Sequence, residues 1–155
     1  MLPASSPVQE IAIGGTLGAV AEAARWVESL ARAGLLPAER LYDAQLCLEE
    51  ALANIVRHGF AATAEPHIRL RFCRQPDAVL IEIEDNGAPF DPTRFVVPAR
   101  PASLAQAQPG GKGIGLLRQF SDAQSYERAG GLNRLSLRFD GAAPIRPGDS
   151  SAPGR

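Results

Sequence analysis

The chain reads as an α+β protein, a two-layer α/β sandwich in which helices cover one face of a mixed, mostly antiparallel sheet. Three observations predict it. Apolar residues recur at spacings of three and four in two stretches before residue 59, as amphipathic helices require. From residue 68 the period changes to two, with charged residues at alternate positions, as in strands solvated on one side. At 155 residues and 45% hydrophobic content, the chain is long enough for one sizeable core, so these elements belong to one domain.

Residues 8 to 13 form a short strand in this reading. Gly14 and Gly15 lead into a helix from about Leu17 to Ala33, with Val20, Ala24, Val27, Leu30 and Ala31 on one stripe. Gly34 is its stop signal. A second helix begins near Pro37 and runs to about His58, where Gly59 ends it. Its stripe is Leu41, Ala44, Leu48, Ala51, Leu52 and Ile55. Ile68, Leu70 and Phe72 then alternate with Arg69, Arg71 and Cys73, and after the Gln75-Pro76-Asp77 turn Val79, Ile81 and Ile83 alternate with Leu80, Glu82 and Glu84. Residues 120 to 128 add a strand. Gly130-Gly131 turns the chain into Leu135, Leu137 and Phe139, alternating with Arg134, Ser136 and Arg138. Residues 90 to 112, with four prolines and no period, are a long loop of the kind that is functional or disordered. The domain therefore spans 1–139, and residues 140–155, rich in Gly, Pro and Ser, are expected to be a disordered tail.

A formal charge of −1 with both signs interspersed offers no basic stripe, so neither nucleic acid nor membrane is expected as a partner. Cys47 and Cys73 lie in apolar patterns without CxxC spacing and are expected as buried free thiols. The amino terminus has no basic residue, and the uncharged run Ile11 to Ala21 contains three glycines and is too short to span a bilayer. The expected location is cytoplasmic.

Three segments carry candidate chemistry. On the second helix Glu50, Asn54 and His58 are four residues apart and share a face. Mg²⁺ takes hard oxygen ligands and keeps waters, so the Asn54 oxygen with substrate phosphates suits it. A carboxylate one turn away can orient or deprotonate a hydroxyl. Taken alone, the trio more readily describes a solvated polar face. The second segment is Asp85-Asn86-Gly87, at the end of an apolar strand. Its carboxylate can accept from the exocyclic amine of adenine, and its glycine permits close backbone approach. Asn-Gly after a strand also suits a hairpin, although Pro89 and Pro92 follow where a returning strand would alternate. In the third, Gly110-Gly111-Lys112-Gly113-Ile114-Gly115, glycines precede a helix whose N–H groups can face a phosphate. It matches neither the Walker A loop nor GxGxxG. Alone it is more readily a flexible hinge.

In order, an ExxxN helix, a strand ending in DxG, a long loop and a GxG at a helix start resemble the Bergerat-fold (GHKL) ATPases, which include histidine-kinase catalytic domains, type II topoisomerases and mismatch-repair ATPases. The closest likeness is to the anti-sigma-factor serine/threonine kinases. Glu50-Ala51 to Asn54 with His58-Gly59 resembles their first box, Asp85-Asn86-Gly87 with Pro89-Phe90-Asp91-Pro92 the second, and Gly111 to Leu116 the third. The likeness covers about residues 8 to 139.

The resemblance implies ATP and Mg²⁺ as cofactors, Glu50 as catalytic base, Asn54 as the Mg²⁺ ligand and Asp85 as the adenine contact. Gly87, Gly113 and Gly115 would shape the pocket and residues 90–112 would be its lid. Arg57, His58, Phe90, Gly111, Lys112, Ile114 and Leu116 would complete the nucleotide surroundings. The implied partners are an anti-sigma antagonist, which the kinase phosphorylates, and a sigma factor, with homodimerisation a further implication. Two alternatives share the motifs: an ATP-dependent binding switch without transfer, and a detached histidine-kinase catalytic domain. The only histidines are His58 and His67, so a phosphoacceptor helix is lacking.

Overall fold

The computed structural model describes residues 9–94 and 111–141, the side chains of 111–113 excepted. Most of the expected lid (95–110) and the expected tail from 142 onward lie outside the described residues. The elements run β1 (Gln9–Gly14), α1 (Gly18–Arg32), α2 (Leu41–Asn54), β2 (His67–Arg74), β3 (Ala78–Asp85), α3 (Gly111–Phe120), β4 (Ala123–Ala129) and β5 (Leu132–Asp140). The strand order is β1-β2-β3-β5-β4, and every described pairing is antiparallel. The sheet expected to be mostly antiparallel is therefore regular throughout.

One parity of each central strand builds the core. Ile68, Leu70 and Phe72 on β2, Val79, Ile81 and Ile83 on β3, and Leu135, Leu137 and Phe139 on β5 share one cluster with Val27, Leu30, Leu48 and Leu52. Burying each such side chain contributes about 1.5–3 kcal/mol, which holds the helical layer on the sheet. Gly34 ends α1 in the left-handed region, at φ 72°, and its N–H donates to Ala31 O at 3.0 Å. Gly130 and Gly131, at φ 60° and 79°, form the hairpin turn between β4 and β5.

Three boundaries differ from the sequence reading. The second helix keeps α geometry only to Asn54 and widens into a π-helical turn over Ile55–Gly59. The strand expected over 120–128 starts at Ala123, because α3 continues to Phe120. That helix end is held from 80 residues away. Arg40 Nη2 reaches Phe120 O at 3.5 Å and the Asp122 carboxylate at 2.7 Å, and its guanidinium lies 5.4 Å from the Phe139 ring centre. Finally, β5 runs through Asp140, one residue into the expected tail.

The opposite parity carries the charge, as the alternation predicts, but it is less open than a solvated face. Glu84 is only 6% exposed because Arg134 (2.8 Å) and Arg71 (3.3 Å) close over it from the flanking strands. Burial works to raise its carboxyl. The Arg134 hydrogen bond and the charges of Arg71 and Arg134 outweigh that and hold it below the ordinary carboxylate value. Cys47 and Cys73 are free and buried, as expected. Burial, then the charge of Asp43, pushes the Cys47 thiol up to about 12, so it is inert as a nucleophile at neutral pH.

Candidate functional site

Asp85 is the last residue of β3, and its parity turns it toward the helical layer, in line with Ile81 and Ile83. The residue is 4% exposed. Its Oδ1 accepts the Gly87 N–H at 2.8 Å, an Asx-type turn that bends the chain out of the strand. The same oxygen accepts Asn133 Nδ2 at 3.0 Å, from the β5 residue directly opposite in the ladder. Oδ2 accepts nothing among the described residues. Burial pushes the Asp85 carboxyl above its usual value. The Asn133 and Gly87 hydrogen bonds oppose that, as do the charges of Arg128 and His67.

The turn after Asp85 is seated on the end of the second helix. Ala88 N–H donates to Gly59 O at 2.8 Å, so the DxG segment meets the π-helical turn that follows Asn54. A hairpin reading of Asp85-Asn86-Gly87 is excluded, since β3 pairs with β2 and β5 and no strand returns directly from this turn. Asn86 instead secures the neighbouring loop: its Oδ1 accepts His67 N–H at 2.9 Å and its Nδ2 donates to Glu65 O at 2.8 Å.

Glu50 and Asn54 lie one turn apart on α2, both half-buried, and neither side chain has a hydrogen bond or ion pair among the described residues. Polar side chains held in this way retain their full capacity for a ligand. Arg57 and His58 are exposed on the π-helical turn, a feature that recurs at functional sites. The third segment is helical earlier than its glycines suggest. Gly111, Lys112 and Gly113 form the first turn of α3, Ile114 is buried, and Gly115 and Leu116 are half-buried in the next. The first N–H groups of a helix have no partner within it, so those of this turn are left to other acceptors. α3 packs on α2, which brings the first and third segments into one layer.

Phe90 is exposed at the entrance of the expected lid. Just beyond it, Asp91 Oδ1 accepts both the N–H (2.9 Å) and the hydroxyl (2.5 Å) of Thr93. Arg118 of α3 donates to Thr93 O at 2.8 Å, so the start of that segment is tied to the helix at its far end. Among the described residues no cluster of three His, Cys, Asp or Glu side chains can hold a metal. A Mg²⁺ here would take Asn54 oxygen and otherwise phosphate and water, which suits its reluctance to dehydrate.

Sequence reading missed Asn133, Tyr126 and Arg128. Asn133 Nδ2 also reaches Gly87 O (3.3 Å) and Ala88 O (3.0 Å), while its Oδ1 accepts Tyr126 OH (2.5 Å) and Arg128 Nη1 (2.8 Å). Arg128 Nη1 reaches Gly87 O as well, at 3.1 Å. The available signal was an asparagine at the inward parity of a strand otherwise filled by Leu135, Leu137 and Phe139.

No helix among the described residues is long and apolar enough to cross a membrane. The serine/threonine-protein kinase BtrW of Bordetella bronchiseptica is 38% identical over 135 residues, covering 86% of this chain and 94% of that protein. The blue-light activated histidine kinase EL346 of Erythrobacter litoralis superposes with a TM-score of 0.51 at 16% identity, over 82% of this chain and 42% of that one. Its histidine kinase domain gives 0.49 at 16% identity, over 90% of this chain and 65% of that one. At such identity the 0.51 match speaks for the fold alone. The family model for the histidine kinase-like ATPase domain matches residues 14–139, nearly the whole described chain. With an ExxxN helix, a DxG turn seated on its end and a glycine-rich helix start packed beside it, this chain belongs to the histidine kinase-like ATPase domain family as an ATP-binding, kinase-like protein of the Bergerat fold.

Proposed function

We propose that this protein is a cytoplasmic serine/threonine kinase that transfers the γ-phosphate of ATP to an anti-sigma antagonist in a bacterial partner-switching pathway. In its other state it holds a sigma factor. The observation that carries the reading is the Ala88–Gly59 hydrogen bond, which sets the base-reading turn against the helix bearing Glu50 and Asn54. It is supported by the 38% identity to a protein named as a serine/threonine kinase. In this reading Asn54 ligates Mg²⁺ on the phosphates, Glu50 takes the proton of the attacking hydroxyl, and Asp85 accepts the adenine amine. Gly87, Gly113 and Gly115 leave room for the nucleotide. Catalysis is then positioning and electrostatics around the transferred group. Incubation with γ-labelled ATP, Mg²⁺ and purified candidate antagonists tests it. Label on a serine or threonine of the antagonist is expected, and unlabelled antagonist together with nucleotide-dependent partner affinity would show a binding switch instead.

A further inference from the structure

We infer that Asn133, held from the edge strand by Tyr126 and Arg128, is the positioning residue that makes Asp85 a one-sided acceptor selective for a 6-amino purine. The inference rests on the assignment of Asp85 to the base and adds what gives that carboxylate its selectivity.

Asn133 sits opposite Asp85 in the β3–β5 ladder, and both point into the helical layer. Its amide is oriented by its surroundings. On one side lie three acceptors, Asp85 Oδ1, Gly87 O and Ala88 O, which only the Nδ2 end can satisfy. On the other lie the Tyr126 hydroxyl and the Arg128 guanidinium, which donate to Oδ1. A flipped amide would set oxygen against three oxygens and nitrogen against a guanidinium. With Nδ2 thus fixed, and with the Gly87 N–H, Asp85 Oδ1 already has two donors. Only Oδ2 is left for a ligand, and it offers lone pairs and no proton. A purine presenting an amine at that edge fits, and one presenting a carbonyl meets oxygen against oxygen. Asn133 acts through Asp85 and needs no contact with the base itself.

The test compares binding of ATP with that of purine riboside triphosphate, which lacks only the 6-amino group, by calorimetry on the full chain. Wild type is expected to favour ATP on the order of 10²-fold, as removing one member of a buried polar pair requires. In Asn133→Leu that ratio should fall to within a few-fold, through weaker ATP binding at nearly constant affinity for the analogue. Since Asn133→Leu acts on a buried position, the double change Tyr126→Phe with Arg128→Met on the edge strand provides a second arm. It should lower the ratio by roughly three- to tenfold, as expected for loosening rather than removing the donor. Equal weakening of both nucleotides in the variants would overturn the inference, since a structural role would cost both alike. An unchanged ratio in either folded variant would overturn it too while leaving Asp85 as base contact. Wild type that binds the two nucleotides equally would refute the assignment of Asp85 together with it.

Discussion

A Cβ on Gly87 would lie 2.7 Å from the carbonyl oxygen of Gly59, which accepts the Ala88 N–H one residue further on. The second and first motif segments touch through this pair, with no space between them for a methyl group. Gly87→Ala must push the turn off the helix end. It should destabilise the fold by about 1–3 kcal/mol, the usual cost of overpacking, and weaken ATP binding further by moving Asp85. Gly59→Ala is the control: its new Cβ would meet only Ile55, at 3.7 Å, so thermal unfolding should shift little. Equal losses in the two variants would contradict the account.

Asp85 is expected to trade stability for binding. Burial raises its carboxyl, so the ionised form is disfavoured in the fold relative to the unfolded chain. The penalty is absent at pH below the unfolded value, builds as pH rises toward the folded value and is complete above it. Asp85→Asn keeps an oxygen for the Gly87 and Asn133 donors and carries no charge. At neutral pH it should unfold at the same temperature as wild type or a few degrees higher, with that advantage vanishing in acid, while ATP binding falls strongly. A less stable Asp85→Asn protein at neutral pH would refute this.

Glu84 should behave in the opposite sense. Its folded value is depressed by Arg134 and Arg71, so its contribution is present above the unfolded carboxylate value and is lost as pH falls through the folded one. Thermal unfolding of Glu84→Gln should be lower than wild type at neutral pH and converge with it at acid pH. Parallel curves would show that the clamp contributes nothing through charge.

The contrast between these residues shows what could be read in advance. Asp85 was legible because it ends an apolar strand and precedes a glycine, a local pattern. The charged parity of β2, β3 and β5 was legible for the same reason. The burial of Glu84 was not, because it requires Arg71 and Arg134 to arrive from two other strands and close over it. Asn133 was missed because its meaning lies in the register that sets it opposite Asp85, and register belongs to the pairing of distant segments. The Arg40 contact with Asp122 is equally non-local. The π-helical turn after Asn54 leaves the helical pattern unbroken in composition, so no local signal marks the end of α geometry before His58.

The central claim is tested most directly at Glu50, half-buried beside Asn54 and without a partner among the described residues. Glu50→Gln keeps the shape and cannot take a proton. ATP affinity, measured by calorimetry with Mg²⁺, and the rate of label transfer from γ-labelled ATP to the antagonist are compared with wild type. The account predicts affinity within a few-fold and transfer slower by about 10²-fold or more, the range for loss of a general base. Transfer at the wild-type rate in Glu50→Gln would contradict it.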